Sequence, residues 1–241
     1  MTPRLSVVIP AFNEERRLPE SIARVRAFLE ARGQSFEIVV ADDGSQDATA
    51  AVAEASGGPA TRVLRGERNR GKGHAVRRGM RAARGERRLM TDADLSAPIE
   101  ELVRLEERLD QGYDVAIGSR AVQGARIEVR QGRFRETAGR AFNVLVRLLL
   151  LPRIRDTQCG FKLFTARAAE VVFEKVRLDG FSFDVEALYV ARRAGLQVAE
   201  VPVVWRNDAA TRVGGLSGAR AFLDLARIRL NGVRGRYGPA L

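Results

Sequence analysis

Short apolar runs alternate with amphipathic stretches along the first half of the chain. The run at 5–9 (LSVVI) is followed by a segment, 15–32, with apolar residues at helical spacing: Leu18, Ile22, Val25 and Leu29. The short run predicts a buried strand, and the wider spacing predicts an amphipathic helix. The same patterns predict strands at 37–41, 62–64, 88–90 and 114–117 and helices at 47–55, 73–83 and 99–109. Strands that alternate with helices indicate βαβ units, so we expect an α/β fold with a mostly parallel sheet flanked by helices.

After Ser119 the pattern changes to a basic stretch that contains an apolar helical segment. Nine arginines lie between Arg120 and Arg155 against two glutamates, so this stretch carries 9 − 2 = +7 of the net charge of +11. The apolar segment is 141–151, and the tail at 217–236 again mixes apolar residues with arginine. Two interpretations remain open: an element that lies on a membrane surface, or a solvated arginine face beside a core helix.

Composition limits the classes of protein that remain. A chain of 241 residues with 45% hydrophobic and 29% charged residues is typical of a globular α/β domain and not of a disordered chain. One cysteine excludes a disulfide framework. The apolar segment at 141–151 is about half the ~20 residues that a spanning helix needs, and residues 1–10 do not resemble a secretory leader, so we expect neither feature.

Polar clusters follow three of the predicted strands, at 10–14 (PAFNE), 42–47 (DDGSQD) and 91–94 (TDAD). In a parallel α/β sheet ligands bind beyond the carboxyl ends of the strands, so we expect these clusters to form one site. Neither a dinucleotide-binding glycine motif nor a P-loop is present. Asp92 and Asp94 are able to direct oxygens at one hard cation, which also accepts water and phosphate oxygens. Alone, such a pair is more often part of a turn or a helix N-cap than a cation site, and its occurrence beside the Asp42-Asp43 cluster is what favours a site.

Further motifs occur in a fixed order: 69–73 (NRGKG), 84–86 (RGE), 118–120 (GSR), 155–164 (RDTQCGFKLF) and 183–186 (FDVE). Together with the strand-end clusters they resemble the family 2 glycosyltransferases of the GT-A fold, and within them the dolichyl-phosphate β-glucosyltransferase branch. The resemblance implies a GT-A (Rossmann-like) domain over residues 1–212, with a nucleotide-sugar half at 1–118 and an acceptor half at 119–212. A C-terminal acceptor-side helical segment, amphipathic and basic, is expected at 213–241.

The resemblance also implies roles for individual residues. The nucleotide-sugar site is expected at Pro10, Ala11, Asn13, Glu14, Asp42, Asp43, Lys72, Gly73, Asp92 and Arg212. Asp92 and Asp94 are expected to hold Mg²⁺ or Mn²⁺, whereas Ser96 replaces a glutamine metal ligand of the related mannose synthases. Arg120 and Arg135 match arginines that hold a lipid phosphate, and the guanidinium fork suits that task. Asp94, Arg120 and Arg135 are therefore the predicted catalytic residues.

The implied activity is inverting, metal-dependent transfer of glucose from UDP-glucose to a polyprenyl (dolichyl-type) phosphate. The implied location is cytoplasmic, peripheral on the inner face of the cytoplasmic membrane. GDP-mannose as donor and a soluble acceptor remain alternatives. A nucleic-acid-binding module is disfavoured because aromatic residues make up only 6% of the chain and no stacking platform is apparent.

Four other features are expected to be structural or remain unassigned. His74 and Cys159 lack an identifiable catalytic partner, and Trp205 is expected to cover the core at the end of a strand at 198–204. Asp184 and Glu186 lie two residues apart on a predicted helix, so at most one of them faces the site.

Overall fold

Buried apolar strands form the centre of the molecule, in a computed structural model that describes residues 2–129, 133–206 and 215–238. Strand β1 (Leu5–Ala11) is buried along its whole length and runs parallel to β2 (Phe36–Asp42) and β4 (Arg87–Thr91) on its two sides. Strand β3 (Thr61–Leu64) extends the sheet beyond β2. Continuous apolar strands of this kind are typical of parallel sheets with both faces covered.

The second half of the sheet contains one reversed strand. It is built from β5 (Val115–Ser119), β7 (Phe161–Thr165) and β8 (Val198–Pro202), and the complete order is β3-β2-β1-β4-β7-β5-β8. Strand β7 lies between β4 and β5 and is antiparallel to both. Two short strands, β6 (Arg126–Val129) and β9 (Val204–Arg206), form a separate parallel pair. The sheet is therefore mostly parallel, as predicted, with an antiparallel insertion that the apolar pattern did not reveal.

Helices cover both faces of the sheet. They are α1 (Leu18–Ala31), α2 (Thr49–Gly57), α3 (Lys72–Ala82), α4 (Leu102–Asp110), α5 (Arg133–Leu149), α6 (Ala166–Lys175), α7 (Phe183–Arg193) and α8 (Gly215–Val233). Successive residues of β1 point to opposite faces, so that Val7 packs in the cluster with α1 and α4, and Val8 packs in the cluster with α3 and α7. The two apolar clusters hold the carboxyl ends of the strands at one edge, where the polar loops emerge.

Most predicted elements are confirmed, with shifts at their ends. Helix α1 begins at Leu18 and not at residue 15, and Pro19 stands in its first turn. The single strand expected at 198–204 is wrong, because β8 ends at Pro202 and β9 begins at Val204. Proline has no N–H to donate to a strand ladder, which favours a break there. The division expected at residues 212 and 213 lies outside the described residues and stays a prediction.

Candidate functional site

The first two polar loops are tied to each other where β1 and β2 end. Ala11 and Asp42 are opposite one another in the strand register. The Asn13 N–H donates to Ser45 Oγ at 2.9 Å, and Asn13 Oδ1 accepts from the Gln46 N–H at 2.9 Å. Asn13 has φ +56°, a left-handed conformation that asparagine tolerates better than most residues. The structure thus brings the predicted cluster at 10–14 against the Asp-Asp-Gly-Ser turn.

The two aspartates of that turn have different partners. Asp42 accepts from the N–H and the hydroxyl of Ser45, within its own turn. Asp43 Oδ2 accepts from the N–H groups of Arg70 and Gly71, at 2.9 and 2.6 Å. Asp43 therefore fixes the loop that leads into α3.

The loop before α3 requires glycine because another loop packs directly on it. Gly71 has φ +117°, and a side chain at Gly71 or Gly73 would clash with the backbone of residues 178 and 179. The Gly73 N–H donates to the Asp179 carbonyl at 2.8 Å. Burial opposes the charge of the Asp179 carboxylate, but Arg77 and Arg70 hold its pKa below the ordinary value. These contacts hold the first turn of α3, and with it Lys72, in one position.

Lys72 lies over the Asp-x-Asp motif. Its Nζ is 2.5 Å from Asp92 Oδ1. Burial disfavours the ammonium, but the charges of Asp92, Asp184 and Asp94 together raise the pKa of Lys72. Asp94 Oδ1 accepts from the Ser96 N–H at 2.9 Å, which closes the turn after β4. The third strand-end cluster therefore joins the loop of Lys72 and Gly73, which the resemblance assigned to the nucleotide-sugar site, in one strongly charged site.

Strand β7 supplies the floor of this site, which the sequence patterns did not predict. A side chain at Gly160 would overlap the Asp92 carboxylate, so only glycine allows this close approach. Lys162 is 1% exposed, donates to the Cys159 carbonyl at 2.5 Å and pairs with the buried Asp184 carboxylate. Burial raises the pKa of Asp184 above its ordinary value, although Lys162 and Lys72 act in the opposite direction. The motif at 155–164 was the sequence signal for this part of the site, but the pattern did not indicate what Gly160 and Lys162 do.

Arg120 follows β5 and forms a second charged pair beside the first. Its Nε and Nη2 donate to the two oxygens of Asp156 at 2.7 and 3.0 Å, and its guanidinium lies 4.7 Å from the centre of the Trp205 ring. Burial disfavours the charge of Arg120, but Asp156 and the more distant Asp92 raise its pKa. Arg120 is therefore a permanent cation close to the Asp92 site.

Comparison with known proteins decides the family. The model described as Glycosyl transferase family 2 matches residues 6–173, well over half of the chain. The chain belongs to glycosyl transferase family 2. Dolichyl-phosphate beta-glucosyltransferase of Homo sapiens is 36% identical over 252 residues, which cover 98% of this chain and 78% of the human protein. The Drosophila melanogaster protein of the same name is 42% identical over 217 residues, 83% of this chain and 66% of the fly protein. The resemblance stated above is confirmed.

The GT-A fold is confirmed by a solved structure. Glucosyl-3-phosphoglycerate synthase from Mycobacterium tuberculosis, in complex with Mn²⁺ and UDP-glucose, matches with a TM-score of 0.66 at 22% identity. The match covers 95% of this chain and 78% of that protein. The strand-end loops of this family 2 chain therefore lie on a GT-A scaffold, as expected.

The donor set of this family 2 site fits a hard cation. Within the described ranges no group of three or more histidine, cysteine, aspartate or glutamate residues is arranged to hold a metal. Asp92 and Asp94 supply two carboxylates, and Asp92 is already oriented by a cation, Lys72, on one side and by Gly160 on the other. Mg²⁺ and Mn²⁺ are commonly bound by one or two carboxylates with substrate phosphates and water. Two aspartates are therefore enough protein ligands for such a cation, because water and phosphate oxygens supply the others.

Four further residues that the sequence singled out have different outcomes. Arg212 lies outside the described residues, and Arg135 is in α5 with its side chain outside the described part. Cys159 is buried, and burial raises its pKa to about 12, in keeping with a packing role. His74 Nδ1 is 3.2 Å from Asp43 Oδ1.

The two carboxylates of α7 face different surroundings, as their spacing requires. Asp184 lies at the charged site with Lys162. Glu186 accepts from the N–H groups of Arg177 and Leu178 and from the hydroxyl of Tyr237, away from the site.

Proposed function

We propose that this family 2 enzyme transfers glucose from UDP-glucose to a polyprenyl (dolichyl-type) phosphate with inversion. One observation carries the proposal: Lys72 pairs with Asp92, Gly160 packs against the same Asp92 carboxylate, and Arg120 pairs with Asp156 only four residues before Gly160. A site for a cation and a diphosphate thus adjoins a site for a second anion. The names of the human and fly relatives, both dolichyl-phosphate beta-glucosyltransferases, support the glucose donor and the lipid acceptor.

On the donor side, Asp92 and Asp94 would hold Mg²⁺ or Mn²⁺. When bound, such a cation stabilises the negative charge that develops on the leaving diphosphate. The fold neighbour whose structure contains Mn²⁺ and UDP-glucose supports a divalent cation bound together with a UDP-sugar. Lys72 adds a positive charge beside Asp92, where its ammonium would contact a diphosphate oxygen. The loops at 10–14 and 42–47 would bind the nucleoside.

On the acceptor side, Arg120 and Arg135 would hold the lipid phosphate. Asp156 accepts from Nε and Nη2 of Arg120, which fixes the plane of the guanidinium. In the described part of the chain Nη1 donates to no acceptor, so it would be available to the phosphate. A phosphate oxygen would attack the anomeric carbon opposite the diphosphate, a new C–O bond would form, and the bond to the diphosphate would break. The acceptor is already an anion near neutral pH, so the arginines position it and no strong base is required.

We also propose that the enzyme is cytoplasmic and lies on the inner face of the cytoplasmic membrane. Within the described ranges no helix is long and apolar enough to span a bilayer. Helices α5 and α8 instead carry an exposed apolar face, which consists of Val144, Leu145, Leu148, Leu149, Phe222, Leu223, Leu230 and Val233. Arginines flank this face, a combination typical of helices that lie on anionic membranes.

The donor is tested by offering a panel of sugar nucleotides with a short polyprenyl phosphate and measuring the nucleotide released. We expect UDP release from UDP-glucose that depends on both the acceptor and Mg²⁺ or Mn²⁺. Release of GDP from GDP-mannose instead would show that the donor assignment is wrong. Turnover only with soluble acceptors would show that the lipid assignment is wrong.

The acceptor site is tested with Arg135→Ala. Loss of a bidentate arginine–phosphate contact should raise the KM for polyprenyl phosphate by about ten- to a hundredfold, or about 1.5–3 kcal/mol, with UDP-glucose binding unchanged. Arg135→Lys should restore part of the loss, because lysine keeps the charge without the fork. Equal losses of donor and acceptor binding would contradict this role.

A further inference from the structure

A basic cavity lies between the carboxyl ends of α5 and α7 and the carboxyl-terminal part of α8. It has a volume of about 390 Å³, within the range typical of small-molecule sites. Three of its lining residues are basic, Arg192, Arg193 and Arg229, and among the described residues no carboxylate lines it. Its remaining walls are apolar or aromatic and are formed by residues 148–150, Pro152 and Tyr189.

The three arginines carry more positive charge than their surroundings neutralise. Arg192 donates to the Leu150 carbonyl at 2.7 Å and Arg229 to the Leu149 carbonyl at 3.2 Å, while Arg193 donates to the Gly238 carbonyl at 3.1 Å. In the described part of the chain, none of the three pairs with a carboxylate. The ends of α5 and α7 together contribute about −1 elementary charge, so roughly +2 remains in the cavity.

Arg193 has further unused hydrogen-bonding capacity. Its Nε is buried and finds no acceptor among the described residues. Its guanidinium also lies 6.0 Å from the centre of the Tyr189 ring. A cavity with spare guanidinium donors and a positive charge is suited to a phosphate group, which accepts several charge-assisted hydrogen bonds.

The rim of the cavity indicates which kind of phosphate. Leu148 is 76% exposed and Leu149 is 47% exposed, and both belong to the exposed apolar face of α5 and α8. A soluble phosphate would leave these leucines in water, whereas a lipid would cover them with its chain and place its headgroup among the arginines. The cavity is separate from the charged site at Asp184, because the eight helical steps of α7 from Asp184 to Arg192 span about 12 Å.

We propose that this cavity binds the phosphate headgroup of an anionic membrane lipid and fixes the orientation of the enzyme on the bilayer. The proposal rests on the proposed membrane function, and it adds a specific lipid site to a diffuse electrostatic attraction. In this arrangement the headgroup site lies at the carboxyl end of α7 and the charged site lies at its amino end.

The test compares two double variants that remove the same charge. Arg192→Gln/Arg229→Gln alters the cavity, and Arg220→Gln/Arg227→Gln removes two exposed arginines of α8 that do not line it. Co-sedimentation is measured with phosphatidylcholine vesicles that contain about one fifth phosphatidylglycerol, at low salt, where electrostatic attraction is strong. We expect the cavity variant to bind at least about tenfold more weakly than the control variant. Equal losses would overturn the proposal, because diffuse attraction depends only on charge.

Two further measurements separate the possible explanations. Binding of wild type to the same vesicles should be inhibited by a short-chain, water-soluble phosphatidylglycerol and not by the same concentration of inorganic phosphate. Equal inhibition by inorganic phosphate would overturn the lipid assignment. If the double cavity variant has a lowered Tm, Arg229→Gln against Arg227→Gln gives the same comparison with one charge each.

The proposed function is tested independently of the cavity. Transfer of glucose to a short, water-soluble polyprenyl phosphate should be unchanged in both double variants, since neither touches the charged site. If wild type itself transfers no glucose while the difference in vesicle binding persists, the proposed function fails and the headgroup site stands.

Discussion

Replacing Lys162 by methionine removes the positive partner of a buried carboxylate. Lys162 and Asp184 have side chains that are 1% and 5% exposed. Methionine keeps much of the length of the lysine stem, so the main change is the loss of the charge and of the hydrogen bond to the Cys159 carbonyl. The variant therefore reports on how the floor of the charged site is held together.

The expected loss is about 3 kcal/mol of unfolding free energy. Removal of one partner of a buried ion pair generally costs about 3–5 kcal/mol, because an uncompensated charge is left in the interior. The lower end applies here since Lys72 also acts on Asp184 and since the pKa of Asp184 is already raised by burial, which eases its protonation. For a chain of this size the Tm should fall by about 6–12 °C.

Urea unfolding of three variants measures this loss. Lys175→Met is the matched control, because Lys175 forms no ion pair among the described residues and should change stability by less than about 0.5 kcal/mol. Lys162→Met/Asp184→Leu should recover much of the loss, since an apolar pair often replaces a buried ion pair at little cost. A loss below about 1 kcal/mol for Lys162→Met would refute the reasoning.

The loss should also depend on pH. Without Lys162 the pKa of Asp184 rises further above its unfolded value, so the folded variant binds a proton more tightly than the unfolded chain does. A carboxyl with a raised folded pKa contributes stability that is present at low pH and is lost as pH rises through that pKa. The difference between wild type and Lys162→Met should therefore shrink from about pH 7 to about pH 5. A constant difference over this range would mean that Asp184 binds a proton no more tightly in the folded variant than in folded wild type, which would refute the proposed effect of Lys162.

Three further predictions concern single side chains. Asp94→Asn should weaken Mn²⁺ binding, measured by titration without substrate. It should also raise the activation free energy by about 2 kcal/mol or more, which lowers turnover about thirtyfold. Full activity in excess EDTA would contradict a metal role. Gly160→Ala should raise the KM for the donor and lower Mn²⁺ affinity with little change in Tm, because the new methyl group meets the Asp92 carboxylate; unchanged donor kinetics would show that Asp92 can move freely. Tyr237→Phe should cost about 1–3 kcal/mol in urea unfolding, because the buried Glu186 carboxylate loses a donor at 2.6 Å; a neutral result would mean that water replaces the hydroxyl.

Local patterns in the sequence were enough to predict the scaffold. The apolar runs at 5–9 and 37–41 became β1 and β2 because they are rich in valine and isoleucine and are too short for a typical helix of about ten or more residues. Their polar ends at 10–14 and 42–47 met at one edge because parallel strands in register end together. The position of Asp92 and Asp94 beyond β4 followed from the same rule.

Other parts of the site depended on contacts that no period in the sequence encodes. Strand β7 was not predicted, since its five residues carry no helical or alternating pattern that distinguishes them from the surrounding motif. Its antiparallel insertion between β4 and β5 is nonetheless what sets Gly160 under Asp92 and Lys162 against Asp184.

By itself, then, the sequence determined the family, the order of strands and helices in the first half of the chain, and the strand-end loops that form the site. Only the tertiary structure decided which charges face one another. Arg120 and Asp156 are 36 residues apart, and Lys72 and Asp92 are 20 residues apart on different elements. The physical reason is that periodicity records which side of an element is buried, whereas the partner of a buried charge is chosen by the packing of the whole sheet and its helices, where a lone charge is costly.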